Sequence, residues 1–322
     1  MVAAQVKGRF APTPSGRMHL GNVFSALMAW LSVRAAGGKL VLRIEDLDPR
    51  ARDRAVADPL MRDLEWLGLD WDEGPFYQSE RGELYDKAIA HLADACLTYP
   101  CFCTRAELHA ASAPHASDGT YLYQGTCREL TPEEVARRSS TRPPATRLRV
   151  PDANDPAGTF TWDDLAFGPQ REVLARECGD FLVRRSDGVT AYQLAVVLDD
   201  GLMGVNQVVR GRDLLGSCAR QSYLARLLGF EPPAYGHVPL LVAPDGRRLS
   251  KRDRDLDLGV LREKGVDPRR VTGALAAATG LVEPGCAATP TELVDSFSWE
   301  ILAKHHADIV VEPEFLKSLI GA

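Results

Sequence analysis

RFAPTPSGRMHLG, residues Arg9 to Gly21, leaves a presumed strand, turns through Pro12, Pro14 and Gly16, and opens a helix in which Val23, Phe24, Leu27, Met28 and Leu31 recur at helical spacing. Gly37-Gly38 supplies its stop signal, and Asn22 stands where an N-cap is expected. A strand-turn-helix of this kind aims backbone N–H groups and the helix's positive end at an anionic ligand, with His19 at the mouth. Far downstream, RRLSKR (Arg247 to Arg252) offers a cationic loop. Alone, the run Arg247, Arg248, Lys251, Arg252 and Arg254, interleaved with acids, reads as a solvated face. Joined to the helix mouth, it reads as the second half of one nucleotide-handling site.

Working outward, the apolar runs Leu40 to Ile44 and Gln207 to Val209 predict buried strands that alternate with helices, giving an α/β fold with a parallel sheet and ligands at the strands' carboxyl ends. AYQLAVVLDD (191–200) predicts an apolar strand beside Tyr192, and VVRGRDLL (208–215) a second with Arg210 after it. No GxGxxG fingerprint and no GxxxxGKS/T loop occurs, which speaks against a dehydrogenase or a P-loop enzyme. Residues 104–160 change texture, with Pro143-Pro144, Pro151 and Pro156 punctuating a polar stretch that reads as an insertion in the sheet domain. Beyond Asp257 the pattern turns helical: Pro268 suits a first helical position, Val271, Leu275 and Ala278 trace one face, and Thr291 to Lys304 reads as another helix.

A chain that is 45% apolar and 25% charged over 322 residues buries a substantial core, and its length suggests two or three domains. The absence of an 18-residue apolar run and of a basic-then-apolar leader predicts a cytoplasmic protein with no membrane contact. Seven cysteines without regular spacing fit reduced thiols. A net charge of -6 argues against broad binding of nucleic acid, because that requires many Lys and Arg to displace counterions. RNA contact is therefore expected from a local patch, with Arg137, Arg138, Arg142, Arg147 and Arg149 as one candidate and Arg262, Lys264, Arg269 and Arg270 as another.

Cys101, Cys103 and Cys127 offer three thiolates close enough in sequence to wrap a tetrahedral ion, and soft thiolates favour zinc. Tyr123, Tyr121, His109 and His115 compete for the fourth position. Cys96, Cys178, Cys218 and Cys286 show no partner pattern and read as core residues. RIEDLD (43–48) places Glu45, Asp46 and Asp48 just after a strand, where a carboxylate faces a cleft. Arg210 and Arg212 provide planar forks of the kind that grip a carboxylate through two hydrogen bonds, or else pair with Asp213 or Asp199.

RFAPTPSGRMHLG, RIEDLDPR and RRLSKR together resemble the class I aminoacyl-tRNA synthetases, whose His-x-Gly-His motif and Lys-Met-Ser-Lys-Ser loop bracket ATP, and specifically their glutamyl members. The resemblance covers nearly the whole chain. It implies a Rossmann-like parallel sheet, with a first half in residues 1–95, a zinc-bearing insertion in 96–180, a second half in 181–245, and the loop plus a helical region in 246–322. It further implies catalytic roles for His19 and Lys251; ATP contacts from Pro12, His19, Gly21, Asn22, Leu249, Ser250 and Lys251; and a glutamate pocket lined by Arg9, Ala11, Thr13, Glu45, Tyr192 and Arg210. Glu45 would hold the α-amino group. The metal ligands would be Cys101, Cys103, Tyr123 and Cys127 around a structural zinc, with magnesium expected beside ATP. Three departures stand out: Asn22 replaces the second His, Leu249 replaces the loop's Met, and the loop's last two positions are Lys251 and Arg252.

Full-length glutamyl enzymes carry a helical anticodon-binding domain beyond this point, and here the sequence ends at Ala322. The likeness is therefore to the shortened subgroup that activates L-glutamate with ATP and transfers it to queuosine in the anticodon loop of tRNA(Asp), acting as a monomer. Two alternatives remain: a minimal glutamyl enzyme that charges a tRNA 3′ end, and a synthetase-derived module that has lost catalysis and holds RNA or a protein.

Overall fold

The computed structural model describes residues 5–14, 18–110, 122–247, 257–312, 315 and 319. Strand β1 (Lys7–Phe10) pairs in parallel with β2 (Lys39–Ile44), and β2 pairs in parallel with β3 (Glu73–Tyr77). The chain then leaves this sheet. Strands β4 (Thr98–Cys101) and β5 (Ala145–Leu148) run antiparallel, β6 (Thr159–Asp164) and β7 (Gly168–Val173) form an antiparallel hairpin, and β8 (Phe181–Arg184) returns against β5. Strands β9 (Gln207–Gly211) and β10 (Ala234–Val238) make a second parallel pair.

The two parallel sheets meet edge to edge. Asn206 N–H donates to the Lys7 carbonyl at 2.9 Å, and Lys7 N–H donates to Asn206 Oδ1 at 2.8 Å. From that junction the chain builds β2 and β3 to one side and β9 and β10 to the other. This is the switch in strand order at which α/β sheets open a crevice beyond their carboxyl ends.

The helix Leu20–Ala35 packs over that junction with Leu20, Val23, Phe24, Leu27, Met28 and Leu31 fully buried. Each such side chain contributes about 1.5–3 kcal/mol through removal of apolar surface from water. Close approach to β1 requires Gly8, where an added Cβ would fall 2.4 Å from Val33 Cγ2. The helix's N-cap is His19, not Asn22, because burial of Leu20 starts the first turn there and Asn22 N–H already donates to the His19 carbonyl.

Several further expectations are corrected. AYQLAVVLDD forms the helix Tyr192–Leu202, not a strand: the seven consecutive residues from Leu194 to Asp200 are all buried, which hides its period. Arg210 lies inside β9 rather than after it. Helix Pro268–Ala277 begins as expected, with Asp267 capping it and Pro268 at its first position; Ala278 falls just past its end. The stretch from Thr291 to Lys304 is broken into Pro290–Leu293, a short turn Val294–Ser296, and Trp299–Leu302, the break falling where Phe297 and Ser298 are extended. Cys178 and Cys218 are buried, but Cys96 is exposed and Cys286 half-buried. Among the described residues no helix is long and apolar enough to cross a membrane.

Candidate active site

A cleft of about 490 Å³ opens at the junction of β1 and β9, and Arg9, Ala11, Pro12, Thr13, Gly21, Asn22, Glu45, Tyr192 and Arg210 all line it. All six residues expected in the glutamate pocket thus line one cavity, together with Pro12, Gly21 and Asn22 of the expected ATP contacts. The Pro12 carbonyl accepts from Glu45 N–H at 2.9 Å, tying the loop after β1 to the end of β2. Of the three acids in RIEDLD, Asp46 is spent on Ser79, accepting from its N–H at 2.8 Å and its hydroxyl at 2.6 Å. Asp48 caps the turn Pro49–Ala51 and pairs with Arg50. Glu45 alone of the three lines the cleft.

Behind Glu45 lies a charge cluster that sequence reading did not single out. Arg43 is fully buried, its Nη1 donating to Asp200 Oδ1 at 2.7 Å and its Nη2 lying 3.4 Å from Glu45 Oε1, with Asp199 3.8 Å from its Nε. Burial works against the Arg43 charge, but Asp200, Glu45 and Asp199 more than offset it and hold its pKa above the ordinary value. Burial likewise pushes the Glu45 carboxyl up, with Arg43 and Arg9 pulling it back. Asp199 also accepts from Gln78, Arg81 and the Tyr85 hydroxyl, so the cluster is anchored by three further side chains.

The two cleft arginines differ in what they leave open. Arg210 donates from Nε to His237 Nε2 (3.1 Å), from Nη1 to Gln221 Oε1 (2.8 Å), and from Nη2 to the Leu214 carbonyl (3.1 Å) and Cys218 Sγ (3.3 Å). Its fork is engaged. Arg9 spends one Nη1 hydrogen on the Val209 carbonyl at 3.1 Å, while its Nε is buried with no hydrogen-bond partner, 3.7 Å from Asp200. A buried donor left unpaired costs about 1–3 kcal/mol, which an arriving anion would recover. Arg212, the other arginine of that segment, pairs with Asp308 (Nη2 to Oδ2 2.8 Å), and Asp213 adds to the negative charge around it.

His19 sits at the helix mouth with its Nδ1 buried and unpartnered. Its backbone forms an antiparallel bridge with Asp257, and Leu258 N–H donates to the Met18 carbonyl at 3.2 Å. Leu249, Ser250 and Lys251 lie outside the described residues. The flanks of their segment are placed, however: Asp257 meets His19, and upstream Ala243 N–H donates to the Arg247 carbonyl at 2.8 Å, just after Leu240 and Leu241 of the cleft wall.

Cys101, Cys103 and Cys127 come together, their sulfurs all within 4.8 Å of one another and Cys103 to Cys127 at 3.6 Å. Thiolates on one tetrahedral ion at about 2.3 Å stand roughly 3.8 Å apart, so the spacing fits a metal. Tyr123 OH lies 3.6 Å from Cys101 Sγ and 3.9 Å from Cys103 Sγ, and accepts from Cys127 N–H at 2.7 Å. Of its rivals, Tyr121 and His115 lie outside the described residues, as does the side chain of His109. Burial resists ionisation of Cys101, but Arg147, donating from Nε to its sulfur at 3.2 Å, brings that thiol below its ordinary value. Burial and the neighbouring sulfurs push Cys103 up to about 12. A bound cation would offset the mutual repulsion of thiolates packed this closely.

Residues 5–308 match the family model of class I tRNA synthetases (E and Q), catalytic domain. The chain belongs to that family. It is 48% identical over 303 residues to the glutamyl-Q tRNA(Asp) synthetase of Nitratidesulfovibrio vulgaris, covering 91% of this chain and 92% of that protein. It is 51% identical to the protein of the same name from Symbiobacterium thermophilum, covering 90% and 91%. A crystal structure of a glutamate tRNA ligase from Elizabethkingia meningosepticum in complex with its amino acid aligns with a TM-score of 0.78 at 26% identity, over 97% of this chain and 68% of that one.

In this class I synthetase, a ligase by family, a second cavity of about 690 Å³ continues from the cleft towards the antiparallel sheet and shares Thr13, Glu45, Tyr192, Asp213 and Leu214 with it. Arg147, Arg185 and Arg220 lie along this groove. Arg147 and Arg149 do not belong to a free basic patch. Arg147 is buried between Cys101 and the Asp180 carbonyl (2.6 Å), and Arg149 is held by Glu129 and the Arg128 carbonyl. In the second patch Arg262 pairs with buried Asp63 at 3.2 Å and Arg269 with Glu292 at 3.4 Å. Arg137 is exposed, whereas Arg138 and Arg142 are half-buried and Arg142 lies 3.7 Å from Glu107.

Proposed function

We propose that the chain activates L-glutamate with ATP and transfers the glutamyl group to queuosine in the anticodon loop of tRNA(Asp). The observation that carries this reading is a single cavity holding both a buried guanidinium with an unpaired donor, Arg9, and a buried carboxylate, Glu45. A zwitterionic dicarboxylate suits that pair: Glu45 takes the α-amino group, while Arg9, with Arg210 and Tyr192, takes the side-chain carboxylate. Ala11 and Thr13 close the wall. The high identity to two relatives named for the queuosine reaction, along almost their full length, supports that acceptor over a tRNA 3′ end.

In the first step an α-carboxylate oxygen attacks the α-phosphorus of ATP, forming the acyl-adenylate and breaking the bond to the β-phosphate, so that pyrophosphate leaves. No side-chain nucleophile is needed, and catalysis rests on positioning and on neutralising phosphate charge. Pro12, Gly21 and Asn22 border the nucleotide, and the helix mouth and His19 face its phosphates; Leu249, Ser250 and Lys251 would add contacts to it, and magnesium would supply further charge neutralisation. In the second step a hydroxyl of the queuosine ring attacks the acyl carbon and AMP leaves. Cys101, Cys103, Tyr123 and Cys127 would hold a structural zinc that staples the antiparallel sheet. The enzyme acts in the cytoplasm as a monomer.

The test has two stages. Glutamate-dependent exchange of label between pyrophosphate and ATP is expected without added tRNA, followed by transfer of labelled glutamate to queuosine-containing tRNA(Asp) but not to unmodified tRNA(Asp). Labelling of the 3′ end of tRNA(Glu) instead would establish a minimal glutamyl enzyme. Folded, ATP-binding protein without exchange would establish a module that has lost catalysis.

A further inference from the structure

Arg210 is held by a relay of buried side chains that begins 46 positions upstream of it, at the β6–β7 turn. Asp164 Oδ1 accepts from the backbone N–H groups of Ala166 (3.1 Å), Phe167 (3.0 Å) and His237 (3.1 Å), and its Oδ2 meets His237 Nδ1. His237 is fully buried on β10, and its Nε2 accepts from Arg210 Nε at 3.1 Å. Beyond Arg210 the relay runs through Gln221 to Gln193 Oε1 (2.9 Å) and from Gln193 to Ser217 Oγ (3.3 Å), which returns it to the residue beside Tyr192.

The partners dictate the protonation of His237. A carboxylate at neutral pH only accepts, so Nδ1 carries the hydrogen; an arginine Nε only donates, so Nε2 has none. The ring is therefore neutral and fixed in one tautomer. Of the five N–H groups of Arg210, four are committed, two of them to the Leu214 carbonyl and Cys218 Sγ, which leaves one Nη1 hydrogen. A guanidinium pinned on three sides cannot rotate to accommodate a different partner. With Arg9 as a second donor in the same cleft, both oxygens of a carboxylate can accept, whereas a carboxamide has one acceptor oxygen and must turn its amino group towards one of the two guanidiniums.

We propose that His237, oriented by Asp164, is a positioning residue that aims the one uncommitted N–H of Arg210 into the amino-acid cleft and so enforces selection of a side-chain carboxylate over a carboxamide. This rests on the reading of the cleft as a glutamate site. Loss of an oriented hydrogen bond between charged groups lowers affinity roughly ten- to a hundredfold.

The test compares His237→Asn with His237→Gln in glutamate-dependent pyrophosphate exchange. Asn places an amide donor near Asp164 but no acceptor at Arg210; Gln places an acceptor where Nε2 stands. H237N is expected to raise KM for glutamate ten- to a hundredfold with kcat and KM for ATP little changed, and to narrow the gap between glutamate and glutamine. H237Q is expected to restore most of it. An unchanged glutamate KM in H237N, or parallel rises for glutamate and ATP in both variants, would overturn the proposal. Should neither variant fold, long-range 1H–15N spectra of the wild-type imidazole decide: an Nδ1–H neutral ring supports the relay, and an Nε2–H or doubly protonated ring at pH 7 overturns it. Wild-type protein without any glutamate-dependent exchange would overturn the functional reading instead, while the tautomer measurement would still judge the relay.

Discussion

The backbones of His19 and Asp257 face one another in an antiparallel bridge, although 238 positions separate them. The helix mouth is thereby joined to the exit of the segment that carries Lys251, while the entry of that segment is tethered by the Ala243–Arg247 turn. The described flanks of that segment, Arg247 and Asp257, are thus both held by backbone contacts.

Lys251→Ala is accordingly expected to lower kcat for pyrophosphate exchange about a hundredfold, the size of effect seen when one donor aimed at developing charge is removed. KM for glutamate should hardly move. Steady-state kinetics with each substrate varied separately checks this, and equal losses in kcat and glutamate binding would refute the assigned role.

Glu45 gives a pH dependence of defined sign. Burial raises its pKa in the folded protein, so its contribution to stability is complete below the unfolded value and is lost as pH rises through the folded value. Glu45→Gln should therefore increase Tm at pH 7 relative to wild type and give no advantage at low pH. The ionised form is the one that pairs with an ammonium, so KM for glutamate should fall as pH rises through the same window and rise sharply in the variant.

Arg43→Met strands Asp199, Asp200 and Glu45 without their shared cation. Breaking a buried pair on one side costs about 3–5 kcal/mol. Urea denaturation should register a loss of that size, with partial recovery when Asp200→Asn is added. A loss below about 1 kcal/mol would contradict the importance given to the cluster.

Cys101→Ser should abolish a metal content near one zinc per chain in elemental analysis and increase proteolysis around β4 and β5, whereas Cys96→Ser, at an exposed position, should leave metal bound. Metal-free wild-type protein would remove the zinc assignment.

How much of this was legible in the sequence depends on periodicity and distance. The helix after His19 announced itself through its apolar spacing, and the three cysteines through their proximity in sequence. Helix Tyr192–Leu202 did not, because buried residues on every side leave neither a 3.6 nor a 2.0 period to read. Arg43 looked like one polar residue at the end of an apolar strand. Its partners Asp199 and Asp200 lie more than 150 positions away, as far beyond local patterning as the 73 that separate Asp164 from His237. Arg147 and Arg149 stood among the candidates for an RNA patch or a solvated face because a one-dimensional charge count cannot tell a guanidinium facing water from one facing sulfur.

Thr13, Glu45 and Tyr192 line both the cleft and the cavity that continues from it. On the proposed chemistry, a mixed anhydride made in the cleft is within reach of a nucleic acid hydroxyl arriving through the adjoining cavity. The labile intermediate would then pass from formation to consumption without diffusing through bulk solvent, and its lifetime would be governed by how tightly RNA seals the outer chamber.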